Sequence, residues 1–577
     1  MDPRTASHVL AQIAALLELH GENRFKSRAY EQAARAVVAI DADDIGPLVR
    51  SGEIERHRGL GPATVAVLRE LVETGESSLL ERLRVGTPEG LVEMLRVPGL
   101  GTSKIHQIHQ GLGVASLEEL EAAARDGRLA KLPRFGQRTA VKVLRGISFV
   151  REQGAYVLLP QGLAESYRLL ENVRRHPGVT RAEVAGSIRR RREIVCDVDV
   201  VAACAQPPAE VASSFARLPG VREATGAGSR SVRVRFVDGT RLDLHCVTDA
   251  EFPVALWRAT GSAEHLAEVR ARAASRGRRL EGDRLLDASG APVPLADEPA
   301  LYAALGLAYV EPEMREGRGE VDAAAAGTLP SLLTYADIRG VLHCHSDYSD
   351  GKASVLEMAR AARERGWSYV GISDHSESAF YAGGLKPDAV LRQHDEIDEV
   401  NATFGAAAGV RVLKGVEADI LADGRIDYDP SLLDRFDYVI GSVHSRFSMG
   451  GAEMTARVLR ALDDPHLTIL GHPTGRLLLT REPYELDLEA VIDKAAAAGV
   501  AVELNADPHR LDVDWRLLHR AKARGATIEI GPDAHSTHGL DNTEIGVAVA
   551  RKGWIEAADV LNARPADEVL AFARKRR

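Results

Sequence analysis

The 577-residue sequence is poor in cysteine, and its four cysteines form no C-x-x-C pair. This argues against a zinc ribbon or a disulfide framework, so we expect reduced, buried thiols. The sequence also lacks any run approaching the roughly 18 apolar residues of a membrane span. Residues 1–25 lack the basic segment and apolar core of a secretion signal. We therefore expect a soluble, cytoplasmic protein of several domains, with no membrane partner.

The chain has no overall excess of basic residues, since 73 Lys and Arg face 83 Asp and Glu. Residues 1–338 hold 44 basic and 45 acidic side chains, whereas residues 339–577 hold 29 and 38. Basic residues nevertheless cluster in the N-terminal part, where only Asp126 opposes Arg125, Arg128, Lys131, Arg134, Arg138, Lys142 and Arg145. Because phosphate backbones respond to local basic stripes rather than to net charge, nucleic-acid binding is not excluded.

Residues 186–201, GSIRRRREIVCDVDVV, combine a glycine turn, a run of arginines and an apolar strand. The strand carries Asp197 and Asp199, and residues two apart on a strand point to the same side. We expect both carboxylates to converge on one point while Val198 and Val200 face the core. Such a pair attracts a hard divalent cation such as Mg²⁺.

The turn that precedes this strand is suited to phosphate. Gly186 and Ser187 offer backbone N–H groups and a hydroxyl, and Arg189 or Arg190 can add bidentate contacts. Together with the paired carboxylates, this turn predicts a site for a metal-bound triphosphate.

A third carboxylate lies within residues 231–247, SVRVRFVDGTRLDLHCV, where apolar and polar residues alternate around Asp238 and Gly239. This pattern predicts a hairpin with a two-residue turn. Asp243 falls on the second strand, so pairing beside the first aspartate strand could bring it to the same metals. Two metals held by three aspartates would serve nucleotidyl transfer. The alternative is a set of solvated strand aspartates.

Three short glycine motifs each precede a helical stretch: Gly59-Leu60-Gly61, Gly99-Leu100-Gly101 and the weaker Arg134-Phe135-Gly136. In a helix-hairpin-helix, the glycines let the chain approach a phosphate, which then meets the free N–H groups of the next helix. Such a motif binds DNA without reading its sequence, whereas the alternative for each copy is an ordinary helix cap. The expected DNA-contacting residues in the first two copies are Gly59, Gly61, Gly99, Gly101 and Lys104.

From residue 339 the pattern changes to seven apolar strands that alternate with helices, which predicts a parallel α/β barrel. Active sites of such barrels lie at the C-terminal ends of the strands. Most of these strands end in a potential metal ligand, and the candidates are His343, His345, Asp350, His375, Glu417, His444, His472, Asp533 and His535. Because one ion takes only about four to six ligands, we expect two or three ions, of Mn²⁺, Zn²⁺ or Fe²⁺.

On these motifs, the chain resembles the bacterial and archaeal family X DNA polymerases that carry a C-terminal PHP phosphoesterase domain. By that resemblance Asp197, Asp199 and Asp243 are the catalytic triad and use Mg²⁺ or Mn²⁺. The resemblance also implies contacts to the nucleotide or the template from Gly186, Ser187, Arg190, Gly261, Ser262 and Arg270.

The resemblance implies a multidomain fold in which helix-hairpin-helix domains precede an α+β nucleotidyltransferase-type palm and thumb and a seven-stranded α/β PHP barrel. The expected domains are a lyase-type helical domain (1–80), a fingers-type helix-hairpin-helix domain (81–150), the palm (151–250), the thumb (251–319), a linker (320–338) and the PHP domain (339–577).

The PHP resemblance also implies how the ligands are shared. One ion would take His343, His345, Glu417 and Asp533; a second would take Glu417, His444 and His472; a third would take Asp350, His375 and His535. Arg510 is a candidate phosphate clamp, with a surface salt bridge as the alternative.

The sequence departs from the family pattern at several positions. The helix after the first hairpin, PATVAVLREL, lacks the family's Schiff-base lysine, so we expect no lysine-dependent deoxyribose phosphate lyase activity. Arg258 and Ala259 replace ring-bearing residues before Thr260-Gly261-Ser262, and Leu266 replaces an asparagine that contacts the incoming base. These changes spare the metals, so we expect a weak or permissive polymerase.

The sequence thus predicts a DNA repair enzyme that fills gaps and removes nucleotides from the 3′ end, with abasic-site cleavage as a further activity of the family. Its partners would be gapped or nicked primer-template DNA and dNTPs, and we expect a monomer that associates with the nucleoid through DNA. Three alternatives remain: a 3′-end-processing nuclease with a decayed polymerase body, a phosphatase of the histidinol phosphate kind, and a non-catalytic DNA scaffold.

Overall fold

The chain divides into two units, Met1–Ala155 and Tyr156–Arg577. The computed structural model describes all residues except 1–2, 21–23, 39, 41–43, 58, 76, 86, 96, 98–99, 134, 154–155, 219 and 237–239. The predictions for Gly99, for Arg134 and for the turn at Asp238 and Gly239 therefore lie outside the described residues. Among the helices that the structure describes, none is long and apolar enough to cross a membrane.

The first unit is helical in its described residues, as the apolar spacing predicts. Its helices are Pro3–Leu19, Arg24–Val38, Gly46–Ser51, Pro62–Thr74, Ser78–Val85, Glu89–Met94, Thr102–Leu112, Leu117–Arg125 and Gln137–Gln153, with 3₁₀ turns at Glu53–Arg56 and Leu129–Lys131. Leu10, Ile13, Leu68, Ile105 and Leu120 are fully buried in one core that these helices share. The unit is thus held together by one face of each amphipathic helix.

The second unit begins with an α+β body. Its strands are β1 (Val157–Leu158), β2 (Val179–Val184), β3 (Ile194–Val195), β4 (Val198–Cys204), β5 (Val221–Thr225), β6 (Ser231–Phe236), β7 (Arg241–Val247), β8 (Arg279–Glu281) and β9 (Arg284–Leu286). Its helices are Leu159–Arg174, Gly186–Arg189, Pro208–Phe215, Phe252–Thr260, Ala263–Ser275, Glu298–Ala304 and Glu320–Ala326, with 3₁₀ turns at Asp249–Glu251, Pro312–Met314 and Tyr335–Asp337.

The main sheet of this body has the strand order β2-β4-β7-β6-β5. The predicted hairpin is present as antiparallel β6 and β7, and β7 runs parallel to β4. That pairing sets Asp199 directly beside Asp243. Val198 and Val200 are buried on the core face, as the alternation predicts.

The segment 320–338, expected from its sequence to be a linker, is partly helical. It contains the helix Glu320–Ala326, and its Val321 and Ala324 belong to the hydrophobic core of the thumb region. The carboxylate of Glu320 is fully buried and pairs with His265 at 2.7 Å. A weak apolar period concealed this helix, because a buried hydrogen bond between Glu320 and His265 helps to fix its first turn.

The barrel contains β10 (Gly340–Val341), β11 (Tyr369–Ile372), β12 (Arg411–Asp419), β13 (Tyr438–Ser442), β14 (Leu467–Leu470), β15 (Ala501–Asn505) and β16 (Ile528–Gly531). All seven strands are parallel and follow one another in chain order, as predicted. The first and last strands nearly close the barrel. Cys344, just after the first strand, forms a parallel β-bridge with Ala534, just after the last strand, and the His345 N–H donates to the Ala534 carbonyl at 2.9 Å.

Helices surround the barrel strands. They are Val355–Glu364, Pro387–Val400, Ala406–Ala408, Pro430–Leu433, Gly451–Ala461, Leu488–Ala498, Trp515–Ala523, Asn542–Lys552 and Ala566–Arg574. A π-helical turn spans Asn401–Gly405, and 3₁₀ turns span Phe380–Ala382, His538–Asp541, Ala557–Asp559 and Leu561–Ala563. Because both faces of the sheet are covered, the strands read as continuous apolar runs.

Candidate active sites

The three palm carboxylates predicted from the sequence lie together. Asp199 on β4 and Asp243 on β7 are register partners, and Asp197 immediately precedes β4. Burial, followed by the charges of Asp197 and Asp243, raises the pKa of Asp199 to about 7. Like charges held this close strongly favour a bound cation, which would relieve their repulsion.

Gly186 is required at its position by this cluster. Its φ is +63°, and a Cβ added there would lie only 1.8 Å from Asp199 Oδ2. The Ala185 N–H, one residue earlier, donates to the Asp199 carbonyl at 2.8 Å. The turn is therefore pressed against the carboxylate strand, and a side chain at residue 186 would displace Asp199.

The arginines of the turn contact the thumb region. Arg190 donates to the Thr260 carbonyl at 2.6 Å and to Glu316 at 3.0 Å, and Arg189 donates to the Thr260 hydroxyl at 2.8 Å. Ser187 is only partly buried in the same turn. Arg190 thus fixes the backbone that leads into Gly261, a contact that the sequence reading did not anticipate.

Gly261 and Ser262 form the start of the helix Ala263–Ser275. The Ser262 hydroxyl accepts a hydrogen bond from the His265 N–H at 3.2 Å, which caps the helix. A Cβ at Gly261 would lie 3.0 Å from Leu266, so Leu266 packs beneath the turn. Arg270 is exposed further along the helix, with its guanidinium 5.9 Å from the Trp257 ring.

A cleft of about 380 Å³ adjoins the carboxylates, and its lining includes Asp199, Asp243, Arg258 and Ala259. Arg258 is held in place there, because it donates to Asp283 at 2.9 Å. The two unusual residues before the Thr-Gly-Ser turn therefore face the same space as the catalytic candidates.

Arg233 is a palm residue that the sequence reading missed. It stands opposite Asp243 on β6 and donates to both of its carboxylate oxygens, at 3.0 and 2.9 Å. The signal was present, since Arg233 and Asp243 occupy paired positions of the predicted hairpin. The Arg233 side chain is 72% exposed, so it can move into solvent when a cation binds.

The predicted DNA-contacting residues of the first unit lie at helix starts. Gly61 precedes the helix Pro62–Thr74 and Gly101 precedes the helix Thr102–Leu112, with open space where a Cβ would stand. Gly59 has a φ of +97°, and Lys104 is exposed in the first turn of its helix. Both helix starts can therefore approach a phosphate closely.

In the barrel, Glu417 is the centre of the ligand cluster. His472 Nε2 lies 2.9 Å and His444 Nε2 3.2 Å from Glu417 Oε1, while His375 Nδ1 lies 2.9 Å and His343 Nε2 3.5 Å from Oε2. These residues come from five different strand ends. The fold thus collects residues that are far apart in sequence around one buried carboxylate.

All nine predicted barrel ligands fall into groups whose donor atoms could share an ion. The groups are His345, Asp350, His375 and His535; His343, Glu417 and His472; His343, His345 and Asp533; and His375, Glu417 and His444. These groups differ from the division that the family resemblance implies. His345 also shares a group with Asp350, and His472 also shares a group with His343. Several candidate ligands therefore belong to more than one group.

The donor set fits divalent metals. Among the described residues, His343 Nε2 and both ring nitrogens of His345 are buried without a hydrogen-bond partner. Leaving buried nitrogens unsatisfied is costly, and ligation by a metal would satisfy them. The sites therefore suit the metals that bind mixed imidazole and carboxylate ligands.

Two outer carboxylates hold the imidazoles and were missed from the sequence. His343 Nδ1 donates to Glu503 at 2.5 Å, and His444 Nδ1 donates to Asp419 at 2.8 Å. Glu503 also accepts the His472 N–H at 2.5 Å. Such bonds fix which ring nitrogen faces the metal. Asp419 lies in the strand motif VEAD, two residues after the more obvious candidate Glu417. Glu503 lies in the strand motif VELN, within an apolar run.

The histidines differ in their preference for protons. Burial lowers the pKa of His345 and of His472 to about 3, so both rings are neutral and ready to bind metal near pH 7. Burial also opposes protonation of His444 and His535, but nearby carboxylates outweigh it. Glu417 and Asp419 raise the pKa of His444 to about 9. Asp350 and Asp533 raise the pKa of His535 to about 9. Metal binding therefore has to release protons from these two rings.

Arg510 lies in this cluster rather than on the outer surface. Its Nε is 3.2 Å from Asp533 Oδ2, and its side chain is 18% exposed. The salt bridge is thus formed with a candidate ligand, which places the guanidinium at the ligand cluster.

Models of four families match the chain. They are a helix-hairpin-helix domain over residues 3–77, a SAM-like helix-hairpin-helix tandem over 91–148, the DNA polymerase beta thumb over 255–316 and the PHP domain over 342–507. Together they match the helical unit, the thumb region and most of the barrel.

Similar proteins are of two kinds. The "DNA polymerase/3'-5' exonuclease PolX" of Bacillus subtilis (strain 168) is 36% identical over 579 aligned residues, covering 100% of both chains. A "Probable phosphatase" of Syntrophotalea carbinolica is 32% identical over 232 residues, but these cover 38% of this chain and 86% of the relative. A "Probable phosphatase" of Vibrio atlanticus is 27% identical over 40% of this chain. The full-length likeness and the matched domains show that the chain belongs to the family X DNA polymerases that carry a C-terminal PHP domain.

Proposed function

We propose that this chain fills short gaps in DNA with its palm and removes nucleotides from 3′ ends with its barrel, as a DNA repair enzyme. The observation that carries this proposal is the presence of two separate carboxylate-centred sites, one beside the cleft of the palm and one at the strand ends of the barrel. Its full-length relative is named for both activities.

In the palm, Asp197, Asp199 and Asp243 would hold Mg²⁺ or Mn²⁺. When bound, these ions supply activation of the primer 3′-hydroxyl and stabilisation of the leaving pyrophosphate. Gly186 permits the close approach of the phosphate-binding turn to Asp199. Arg190 orients the turn that leads to Gly261 and Ser262, where the incoming nucleotide would lie.

In the barrel, the nine ligands would hold two or three ions of Mn²⁺, Zn²⁺ or iron. When bound, these ions supply a nucleophilic oxygen and neutralise the phosphate charge during phosphodiester hydrolysis. Glu503 and Asp419 orient the imidazoles, and Arg510 would contact a phosphate oxygen of the DNA. Release of a 3′ nucleotide is therefore the proposed reaction.

The partners would be gapped or nicked primer-template DNA and dNTPs, and the exposed hairpin glycines would hold the DNA backbone. We place the protein in the cytoplasm, associated with the nucleoid through DNA, as a monomer. Arg258 lines the palm cleft and Leu266 packs beneath Gly261, and these two departures from the family pattern support a weak or permissive polymerase.

A small-molecule phosphatase and a decayed polymerase are less well supported. The relatives named phosphatases align with little more than the barrel. A decayed palm would not be expected to keep a glycine of positive φ packed against a repulsive carboxylate cluster. A scaffold without chemistry would have no need of buried imidazole nitrogens that lack hydrogen-bond partners.

Substrate choice tests this proposal. Purified protein with Mn²⁺ is given either a gapped primer-template with dNTPs or histidinol phosphate. We expect extension of the primer, its shortening when dNTPs are omitted, and no comparable release of phosphate from the monoester. Rapid hydrolysis of the monoester with unchanged primer would contradict the proposal.

A further inference from the structure

Two neighbouring aromatic side chains stand in solvent beside the barrel site. Phe380 is 85% exposed and Tyr381 is 61% exposed. Among the described residues, Phe380 is the most exposed large apolar side chain. Single exposed apolar residues are ordinary on protein surfaces, but an adjacent aromatic pair at an active-site mouth is typical of a binding surface.

A tight backbone loop holds the pair in place. The Leu385 N–H donates to the His375 carbonyl at 2.8 Å, and the Gly384 N–H donates to the Ala379 carbonyl at 3.1 Å. Ala379 and Ala382, which flank the pair, are buried. The short 3₁₀ turn Phe380–Ala382 is therefore anchored at both ends, while the two rings between the anchors point outward.

The loop begins at a proposed metal ligand, so the rings lie next to the site. The Tyr381 ring centroid is 6.4 Å from that of His444, and the Phe380 ring meets the Tyr381 ring at 6.1 Å and 79°. This corner lets a flat group stack on one ring while its edge contacts the other.

The surroundings of the rings suit a nucleotide. Asp419 and Glu417 of the acidic cluster lie close enough to Tyr381 to interact with it electrostatically. Arg510 and Arg481 are both close enough to interact electrostatically with Tyr381. Two guanidinium groups, two aromatic rings and the carboxylate and imidazole cluster beside them match the chemistry of one strand of DNA, with its phosphates and bases.

We propose that Phe380 and Tyr381 form a base-stacking platform that binds a nucleobase of the strand being degraded, next to the phosphate that is cut. This inference rests on the proposed function of the barrel and names the part of the substrate that its mouth recognises. Because the corner between the two rings contacts an edge of the base as well as its face, the platform would bind bases from an unpaired 3′ end.

The test compares wild-type protein with the Phe380→Ala/Tyr381→Ala double variant. Tyr381→Phe keeps both rings, and Tyr167→Ala removes an equally exposed aromatic ring from the palm, far along the chain from this loop. The substrates are a 5′-labelled single-stranded oligonucleotide and the same strand ending in tetrahydrofuran residues, which lack bases. The rate constant kcat/KM for shortening is measured in Mn²⁺.

We expect the double variant to lose about tenfold or more in kcat/KM on the strand with bases, since each stacked base contributes about that much to binding. On the base-free strand, the double variant and wild type should be equal, and the Tyr167→Ala control should match wild type on either strand. No loss on the strand with bases, or an equal loss on both strands, would overturn the platform.

Direct binding separates this inference from the proposed function. Calorimetric titration in Mn²⁺ with thymidine 5′-monophosphate and with deoxyribose 5-phosphate gives the contribution of the base, which the double variant should lose and Tyr381→Phe should keep. If wild-type protein bound the two ligands with this difference but shortened no DNA, the platform would stand and the exonuclease proposal would fail. Equal base contributions in wild type and double variant would overturn the platform.

Discussion

Single residues decide the geometry of both sites. Gly186 is a case in point, because its positive φ and its contact with Asp199 each exclude a side chain. Glu503 is another, since it holds the ring of His343 and the backbone of His472 from behind. The aspartates and histidines could be read from the sequence, whereas these supporting roles depend on distances that the sequence does not state.

We predict that Gly186→Ala lowers primer extension about 100-fold, because an added methyl group displaces Asp199 and misplaced catalytic groups cost about that factor. Gly220→Ala is the matched control: its φ is +80°, but no atom lies within 4 Å of the added Cβ. Both variants carry about 1–2 kcal/mol of backbone strain. Equal extension by the two variants, measured as kcat/KM for dNTP, would count against the role of Gly186.

We predict that Glu503→Gln weakens metal binding by about 10- to 100-fold, since it removes the charge that orients His343. The metal content of the variant is measured after dialysis. Its rate of DNA shortening should fall in parallel, while its rate of primer extension should stay unchanged. Glu489→Gln, on the exposed first turn of a barrel helix, is the control. Full metal retention by Glu503→Gln would contradict the proposed outer role.

Among the secondary-structure elements, the strands and their ends could be predicted most directly from the sequence. Seven apolar runs, most of which end in a candidate ligand, predicted the barrel, and the alternation around Asp238 and Gly239 predicted a hairpin that could pair beside the Asp199 strand. The helix Glu320–Ala326 could not be predicted, because its anchor is the pairing of Glu320 with His265, 55 residues earlier. The hydrogen bond from Arg190 to the Thr260 carbonyl is likewise a long-range contact, which no local sequence pattern indicates.

The helix Pro62–Thr74 gives a prediction of its own. It follows the first hairpin and contains no lysine, so no amine is present on it to form a Schiff base with an abasic sugar. We expect no covalent adduct when the protein and incised abasic DNA are treated with borohydride, with a lysine-dependent lyase as the positive control. A trapped adduct that disappears when a lysine within residues 1–80 is replaced would refute this expectation.

At the scale of the molecule, the palm and the barrel are joined by buried polar contacts. Glu193 of the palm accepts hydrogen bonds from Trp515 Nε1 and from Arg516, each at 3.0 Å. Lys552 of the barrel, with a fully buried side chain, pairs with Glu316 and donates to the Arg190 carbonyl. The barrel thus supports the same turn that the proposed polymerase site uses.

We predict that Glu193→Ala destabilises the protein by about 1–3 kcal/mol, because it leaves the buried Trp515 N–H without an acceptor. Urea unfolding monitored by tryptophan fluorescence measures the loss. Glu223→Ala, which removes an exposed pair with Arg235 at 4.0 Å, should change stability by less than about 1 kcal/mol. Equal stabilities of the two variants would show that the palm contact with Trp515 contributes nothing.

The central claim is that one chain carries two chemically independent active sites. The most direct measurement follows a 5′-labelled primer at a short gap, with Mn²⁺ or Mg²⁺ and with or without dNTPs, for wild type, Asp197→Ala/Asp199→Ala and His343→Ala/His345→Ala. We predict that the palm variant loses extension and keeps shortening, while the barrel variant does the reverse. If wild type only shortens the primer, whether or not dNTPs are present, the palm is a binding platform and the account is wrong.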